Sequence, residues 1–305
     1  MAGLVVLEKM VMLVLLMLVG FLAAKGKWVD ESFGQKASFL VANVFIVATI
    51  LASVVGMEPL FSGRELVVSV VAVFILFAIG GVLGWICAKL LPLSPGDRTA
   101  AWLSVFFMNN VFIGFPVVEA LFGQNAVFCA ALTGLPFNLL LFSMGVSRLR
   151  AGQGRGRVRL REVFSPALIA TLVSIVFFLG QIPFPQLVAD TVQTLGGATV
   201  PLSMLIIGIS LSQVPIREAL TDWRAYVVSL VRLILCPLVV WGVLRLFVSG
   251  TVLGVLTVIA ACPSGAMITI LSLRYGVDET FATRVNFVST VLCAGTLPLV
   301  THILL

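Results

Sequence analysis

Two short polar stretches interrupt long apolar segments of this sequence, and they hold the residues best suited to contact a solute. The first, NNVFIGFP, runs from Asn109 to Pro116, and the second, CPSG, runs from Cys262 to Gly265. Helix breakers in the middle of a lipid-spanning segment free backbone groups that hydrocarbon cannot satisfy. Such breaks persist only where they line a protein cavity or meet a ligand. A pair of broken spans in corresponding halves of a chain is typical of the binding site of a secondary transporter.

The adjacent asparagines, Asn109 and Asn110, offer polar groups without a net charge. Each amide provides two hydrogen-bond donors and an acceptor, which suits a carboxylate that must be released again. A fixed arginine at the same depth would be costly whenever the site is empty. The alternative is that both amides hydrogen-bond backbone carbonyls freed by the break.

The prolines and glycines of the two stretches predict that the broken segments cross. Pro116 and Pro263 remove backbone donors and disfavour helix in the preceding residue. Gly114 and Gly265 permit a close approach of two backbones. The half-helices that restart after the breaks aim unpaired amides at the membrane midplane, which favours an anion. The substrate-binding candidates from these stretches are Asn109, Asn110, Gly114, Pro116, Cys262, Pro263, Ser264 and Gly265.

Three charged residues lie inside apolar segments and have competing interpretations. Glu119 follows Pro116 by one turn and is a candidate for carrying a coupling proton, because shielding from water raises a carboxyl pKa. It could equally be hydrated and idle near the outer surface. Arg232 and Arg284 are expected to snorkel toward the cytoplasmic surface. Arg284, followed by Asn286, is the better candidate for drawing an anion inward.

The composition indicates a polytopic membrane protein. The chain is 60% hydrophobic and 10% charged, with a mean hydropathy of +1.18, more apolar than a soluble domain requires. Its basic residues concentrate in short loops, so we expect membrane topology and not nucleic-acid binding to explain them. The five cysteines show no metal-ligand spacing, and with one histidine and no paired acids within the spans we expect no enzyme, metal or cofactor.

Loop signals divide the chain into ten apolar runs of about spanning length. The first run resembles a signal peptide, but Glu8 and Lys9 interrupt it and favour a retained helix. We therefore predict an all-α protein with ten transmembrane helices near residues 4–24, 33–56, 66–90, 99–122, 126–147, 164–182, 187–211, 224–247, 252–275 and 279–304.

Lysine and arginine in the loops predict the orientation in the membrane. Fourteen fall in the odd-numbered loops and three in the even loops and termini, which places both termini outside. The linker rich in glycine and arginine, near residues 149–162, would then be cytoplasmic. It separates five spans in residues 1–148 from five in residues 163–305. Because five is odd, homologous halves must be inverted relative to each other, with the fourth and ninth helices broken.

An ordered set of segments resembles the auxin efflux carrier family, over most of the chain from about Asp97 onward. These segments are NNVFIGFPVVEALFG (Asn109–Gly123), NLLLFSMGV (Asn138–Val146), PLSMLIIGISL (Pro201–Leu211), ACPSG (Ala261–Gly265), LRYGVD (Leu273–Asp278) and STVLCAGTLP (Ser289–Pro298). The short central loop resembles that of the bacterial members, which are proposed permeases for malate, malonate and related acids.

The resemblance implies a fold and further site residues. The fold is that of bile-acid sodium symporters and sodium/proton antiporters, with scaffold helices at about 4–56 and 164–211 and core helices at about 66–147 and 224–304. It places Asn109 at the family's substrate-binding asparagine, and Asn43 and Asn138 in the cavity lining. The family's second helix often has a proline after its asparagine, whereas none follows Asn43. A homodimer through the scaffold helices is also implied.

These observations favour a secondary transporter that moves an organic anion across the cytoplasmic membrane by alternating access. The substrate would be a mono- or dicarboxylate such as malate or malonate, or an auxin-like acid. The membrane potential or a proton would drive it. An anion channel and a sodium-coupled symporter of the same fold are the alternatives.

Overall fold

Helices form all the regular elements of the residues that the computed structural model describes, which are 2–56, 63–150, 164–213, 220–274 and 279–305. Most of the predicted linker, and the loop at 275–278, lie outside these residues. Within them, the single strand-like pairing is an antiparallel bridge between Met108 and Ser264.

The first half contains nine α-helical segments in the part that the structure describes. These are α1 (Ala2–Lys25), α2 (Glu31–Leu40), α3 (Ile46–Ala52), α4 (Gly63–Leu90), α5 (Pro95–Phe106), α6 (Phe115–Phe122), α7 (Ala126–Ala131), α8 (Gly134–Leu140) and α9 (Val146–Arg150). Three π-helical turns, Val41–Phe45, Asn110–Gly114 and Leu141–Gly145, join α2 to α3, lead into α6 and join α8 to α9.

The second half, over its described residues, contains eight. These are α10 (Pro166–Gly180), α11 (Gln186–Gly197), α12 (Thr199–Gln213), α13 (Trp223–Leu230), α14 (Cys236–Leu244), α15 (Gly250–Ala260), α16 (Met267–Arg274) and α17 (Thr280–Leu304). A π-helical turn, Val231–Leu235, joins α13 to α14.

Side-chain caps fix where several of these helices begin. The hydroxyl of Ser94 accepts from the amide of Asp97 at the start of α5, with Pro95 in the first turn. Ser165 and Pro166 repeat this arrangement at the start of α10. Such caps satisfy amides that the first helical turn leaves unpaired, and proline costs nothing there because its missing N–H would have no partner.

Six of the ten predicted spans are confirmed as apolar helices long enough to cross a membrane, counted over the described residues. They are Ser32–Ala52, Glu65–Leu90, Ala126–Leu149, Gln186–Gln213, Trp223–Leu244 and Thr280–Leu304. Shorter apolar helical stretches overlap the other four: Val11–Lys25, which is part of α1, Asn110–Phe122, Pro166–Gly180 and Gly250–Ala260. Two of the short ones belong to the predicted broken spans, and the breaks account for their length.

Helix α1 packs along α12 with almost no space between the backbones. A Cβ added at Gly208 would overlap the carbonyl oxygen of Met17, and one added at Gly20 would overlap that of Leu205. Only glycine permits this approach at either position. Helix α3 packs against α10 and α11, where the hydroxyls of Thr49 and Thr199 lie 2.6 Å apart. The two halves of the chain are therefore packed into each other.

Candidate functional site

The two broken helices meet at a short crossover of extended chain. Helix α5 ends at Phe106 and α15 ends at Ala260, and the segments that follow pair antiparallel through Met108 and Ser264. The amide of Asn109 donates to the carbonyl of Pro263 at 2.8 Å, and the amide of Gly265 donates to that of Phe107 at 3.0 Å. Backbone groups released by one break are thus satisfied by the other, which is how such breaks survive in an apolar interior.

Both predicted glycines lie where the segments come closest. A Cβ at Gly265 would lie 3.3 Å from the carbonyl oxygen of Met108. A Cβ at Gly114 would lie 2.6 Å from Cδ1 of Ile259 and 3.4 Å from Sγ of Cys262. The crossover therefore has little room for any side chain at these two positions.

The two asparagines lie beside the crossover and have different partners. Oδ1 of Asn109 accepts from the amide of Phe112 at 3.2 Å and caps the π-helical turn before α6. Nδ2 of Asn110 donates to Oγ1 of Thr133 at 2.9 Å, and Asn110 is 2% exposed. Neither side-chain amide donates to a backbone carbonyl freed by the break. The Nδ2 group of Asn109 has no hydrogen-bond partner among the described residues, so it is available to a solute.

The second break contributes a buried serine with an unused hydroxyl. The amide of Ser264 donates to Oγ of Ser289 at 3.2 Å. The hydroxyl of Ser264 has no hydrogen-bond partner among the described residues, and the residue is 1% exposed. Helix α16 begins shortly afterward, at Met267. Because the amino-terminal ends of helices carry partial positive charge, Ser264 and the turn before α6 together favour a negatively charged group.

Arg232 lies in the crossover, so the expectation that it snorkels to the surface is wrong. Its side chain is buried, with 1% of the residue exposed. The guanidinium donates to the carbonyls of Cys262 at 3.0 Å, Val105 at 2.8 Å, Ala260 at 2.9 Å and Ile259 at 3.4 Å. The sequence feature that could have indicated its burial is its position near the middle of the span Trp223–Leu244, which is too deep for its charge to reach water easily.

The structure joins the other predicted asparagines to their own helices and not to the crossover. Nδ2 of Asn138 donates to the carbonyl of Gly134 at 2.9 Å, and Nδ2 of Asn43 donates to that of Phe39 at 2.6 Å. Asn138 is nevertheless buried. Thr133, which holds Asn110, was not among the predicted site residues.

The two charged candidates lie in different surroundings. Oε2 of Glu119, on α6, is buried and has no hydrogen-bond partner among the described residues. Nη1 of Arg284, on α17, lies 3.6 Å from Oδ2 of Asp222. The guanidinium of Arg224 donates one hydrogen bond to each carboxylate oxygen of Asp222. These bonds from Arg224 lower the pKa of Asp222 below its ordinary value. Arg284 is therefore part of an ion-pair cluster at the start of α13.

Comparison with known proteins gives the family. A family model described as "Membrane transport protein" matches residues 5–149 and 155–301. The chain belongs to this family. The match confirms the resemblance to auxin efflux carriers and, together with the apolar helices, identifies a multi-pass membrane protein with a role in transport.

Two curated relatives cover nearly the whole chain. An uncharacterized transporter of Methanothermobacter thermautotrophicus is 27% identical over 296 residues, which are 96% of each chain. An uncharacterized transporter of Methanocaldococcus jannaschii is 24% identical over 294 residues, covering 93% of this chain and 94% of the relative. Both descriptions agree with a transport role for this family member.

Proposed function

We propose that this family member is a secondary transporter that carries an organic anion, such as a mono- or dicarboxylate, by alternating access. The observation that best supports this proposal is the crossover of two broken helices within an apolar core, joined at Met108 and Ser264. Uncharged donors flank it, and a helix begins on either side of it. An anion held there would be stabilised by amide and hydroxyl groups and by the positive ends of α6 and α16.

The burial of the site supports a carrier over a channel. Asn110 and Ser264 are 2% and 1% exposed. The neighbouring cavity between α1, α6, α12 and α17 has a volume of about 30 Å³ and is lined mainly by apolar groups such as Leu13, Ile113 and Leu297. This is roughly the space of one water molecule, whereas small-molecule sites usually need several hundred Å³. Neither Asn110 nor Ser264 is open to a solute in this conformation, which fits a carrier whose helices move to admit its substrate.

The proposal also assigns the helices to a fixed scaffold and a moving core. Helices α1–α3 and α10–α12 would form the scaffold, and the helices of residues 66–147 and 224–304 would form the moving core, in two inverted repeats. The substrate site would comprise Asn109, Asn110, Gly114, Pro116, Cys262, Pro263, Ser264 and Gly265, with Asn43 and Asn138 lining the path. We further propose insertion in the cytoplasmic membrane with both termini outside, and homodimers through the scaffold.

Two sources of energy fit an exported anion. The membrane potential supplies about 2.3 kcal/mol per charge per 100 mV. A proton carried by Glu119 is the other source, and the buried, unpartnered Oε2 atom of that residue favours it.

The test is uptake of labelled malate, malonate and indole-3-acetate into proteoliposomes, with and without an imposed pH gradient. Wild type, Asn109→Ala and a control, Asn125→Ala, would be reconstituted in parallel. Asn125 lies at the start of α7, outside the crossover, so its removal should leave uptake unchanged.

Saturable uptake of one acid, accelerated by the same unlabelled acid on the opposite side and lost in Asn109→Ala, would support both the function and the site. Uptake that does not saturate would indicate a channel. If folded wild-type protein transports none of the acids, the organic-anion assignment is wrong.

A further inference from the structure

Three of the four carbonyls that contact Arg232 lack the amide partner that an unbroken helix would give them. In an α-helix, a carbonyl accepts from the amide four residues later. For Ile259 that residue is Pro263, which has no N–H, and besides Arg232 the carbonyl accepts only the shorter-range bond from the amide of Cys262 at 3.2 Å. For Ala260 it is Ser264, whose amide donates to Ser289 instead.

The first broken helix presents the same situation at its end. The normal partner of the Val105 carbonyl is the amide of Asn109, which crosses over to Pro263. Nη1 of Arg232 takes its place at 2.8 Å. One guanidinium therefore satisfies carbonyls at the carboxyl ends of both α5 and α15.

These two ends would be strongly negative without Arg232. Each helix carboxyl end carries roughly half an elementary negative charge, so two that meet amount to about one. A guanidinium stays protonated in proteins and contributes one positive charge. Arg232 forms no ion pair with any carboxylate of the described residues, and within them its charge is compensated by the carbonyls.

A group of converging carbonyl oxygens is also the environment in which proteins coordinate hard cations from solution. We propose that Arg232 is the built-in cation of the crossover: its guanidinium occupies the place that a solution cation would otherwise fill, and it ties the ends of α5 and α15 together. The wild-type crossover thus needs no sodium or potassium ion, and removal of the side chain creates a cation site. The inference does not depend on which solute is transported.

The experiment measures the midpoint of thermal unfolding, Tm, of purified protein in detergent. Wild type, Arg232→Ala, Arg232→Lys and the control Arg245→Ala would be compared in choline, sodium, potassium and methylguanidinium chloride at equal ionic strength. Arg245 is exposed, and its guanidinium carbon lies 4.5 Å from the centre of the Trp241 ring. It directly follows the end of α14, so its removal takes away an arginine without touching the crossover.

We expect the Tm of wild type and Arg245→Ala to be the same in choline and in sodium. Arg232→Ala should lose about 5 °C or more, because several carbonyls lose their charged donor. Methylguanidinium should restore part of this loss in a saturable manner in Arg232→Ala alone. Arg232→Lys keeps the positive charge but has fewer hydrogen-bond donors, so its Tm should lie between those of Arg232→Ala and wild type.

Three results would overturn the proposal. The first is a saturable rise in the Tm of wild type with sodium or potassium relative to choline. The second is a Tm of Arg232→Ala equal to that of wild type. The third is a loss of Tm in Arg232→Ala that no cation reverses and that Arg232→Lys shares in full, which would indicate a packing role. If Arg232→Ala fails to fold, the wild-type titration and Arg232→Lys still decide the matter.

Discussion

The amide of Asn109 donates a hydrogen bond to the carbonyl of Pro263 at 2.8 Å, across 154 positions of the sequence (263 minus 109). With the bond from Gly265 to Phe107, it makes the two helix breaks one structural unit. If either break moves, buried backbone groups of the other lose their hydrogen-bond partners, which is costly in an apolar interior. The crossover should therefore move as a rigid body, with the helices around it changing their contacts.

The first prediction concerns Gly265, at the closest point of the crossover. In Gly265→Ala the new Cβ would lie 3.3 Å from the carbonyl oxygen of Met108 and 3.4 Å from that of Phe107. These are backbone atoms held by the bridge, so they cannot move aside without weakening it. We expect a loss of roughly 1–3 kcal/mol in stability and of most transport, measured by thermal unfolding and proteoliposome uptake.

Gly295→Ala is the matched control for this change, because a Cβ at Gly295 meets no atom within 4 Å. It should leave transport unchanged and should not lower stability, because alanine is the better helix former in the interior of α17. Full activity in Gly265→Ala would mean that the crossover is looser than the bridge indicates.

The features that follow from local chemistry were predictable from sequence. Proline and glycine within apolar runs located both breaks, and the spacing of the runs located six helices of spanning length. The crossing itself was also predicted, because the prolines break the helices and the glycines permit two backbones to approach closely. These inferences depend on residue type and spacing alone, which a single sequence contains.

Partnerships between distant residues were not predictable in the same way. Arg232 was expected to reach the surface, because depth in a span does not reveal that four carbonyls converge beside it. Thr133 was missed as the partner of Asn110, because a threonine in an apolar helix more often bonds its own backbone. The cluster of Arg284 with Asp222 likewise depends on how two helix ends meet.

The second prediction concerns Asp222, the cap of α13. Because the folded-state pKa of Asp222 is lowered, its ion pairs stabilise the protein at pH values above the ordinary pKa of about 3.9. This contribution is lost as the pH falls through the lower folded-state value. Asp222→Asn retains a capping side chain but loses the charge, so we expect it to cost roughly 0.5 kcal/mol.

The difference in Tm between Asp222→Asn and wild type should be constant from about pH 5 to 8 and should shrink below about pH 4. Asp190→Asn, which changes an exposed carboxylate on α11, serves as the control and should show no such difference. A difference that grows on acidification would contradict the assigned role of Asp222.

The third prediction concerns Glu119 and the driving force. If Glu119 carries the coupling proton, Glu119→Gln should abolish the stimulation of uptake by a pH gradient, while the KM for the acid stays within about twofold. The reason is that the amide fills the same buried space but cannot exchange a proton. Glu8→Gln alters an exposed carboxylate on α1 and should respond like wild type. An undiminished gradient response in Glu119→Gln would leave the membrane potential as the driving force.

The fourth prediction separates the two asparagines. Nδ2 of Asn110 donates to Thr133, so Asn110 supports the break in addition to any contact with the solute, whereas Nδ2 of Asn109 has no protein acceptor among the described residues. Asn110→Ala and Thr133→Val should each lower stability by roughly 1 kcal/mol, and the double variant should cost about as much as one of them. Asn109→Ala and Thr133→Val should instead be additive in stability, and Asn109→Ala should mainly raise KM. If the losses of stability for Asn110→Ala and Thr133→Val are additive, the contact between these residues contributes nothing to stability. Contact with the solute would then be the role left for Asn110.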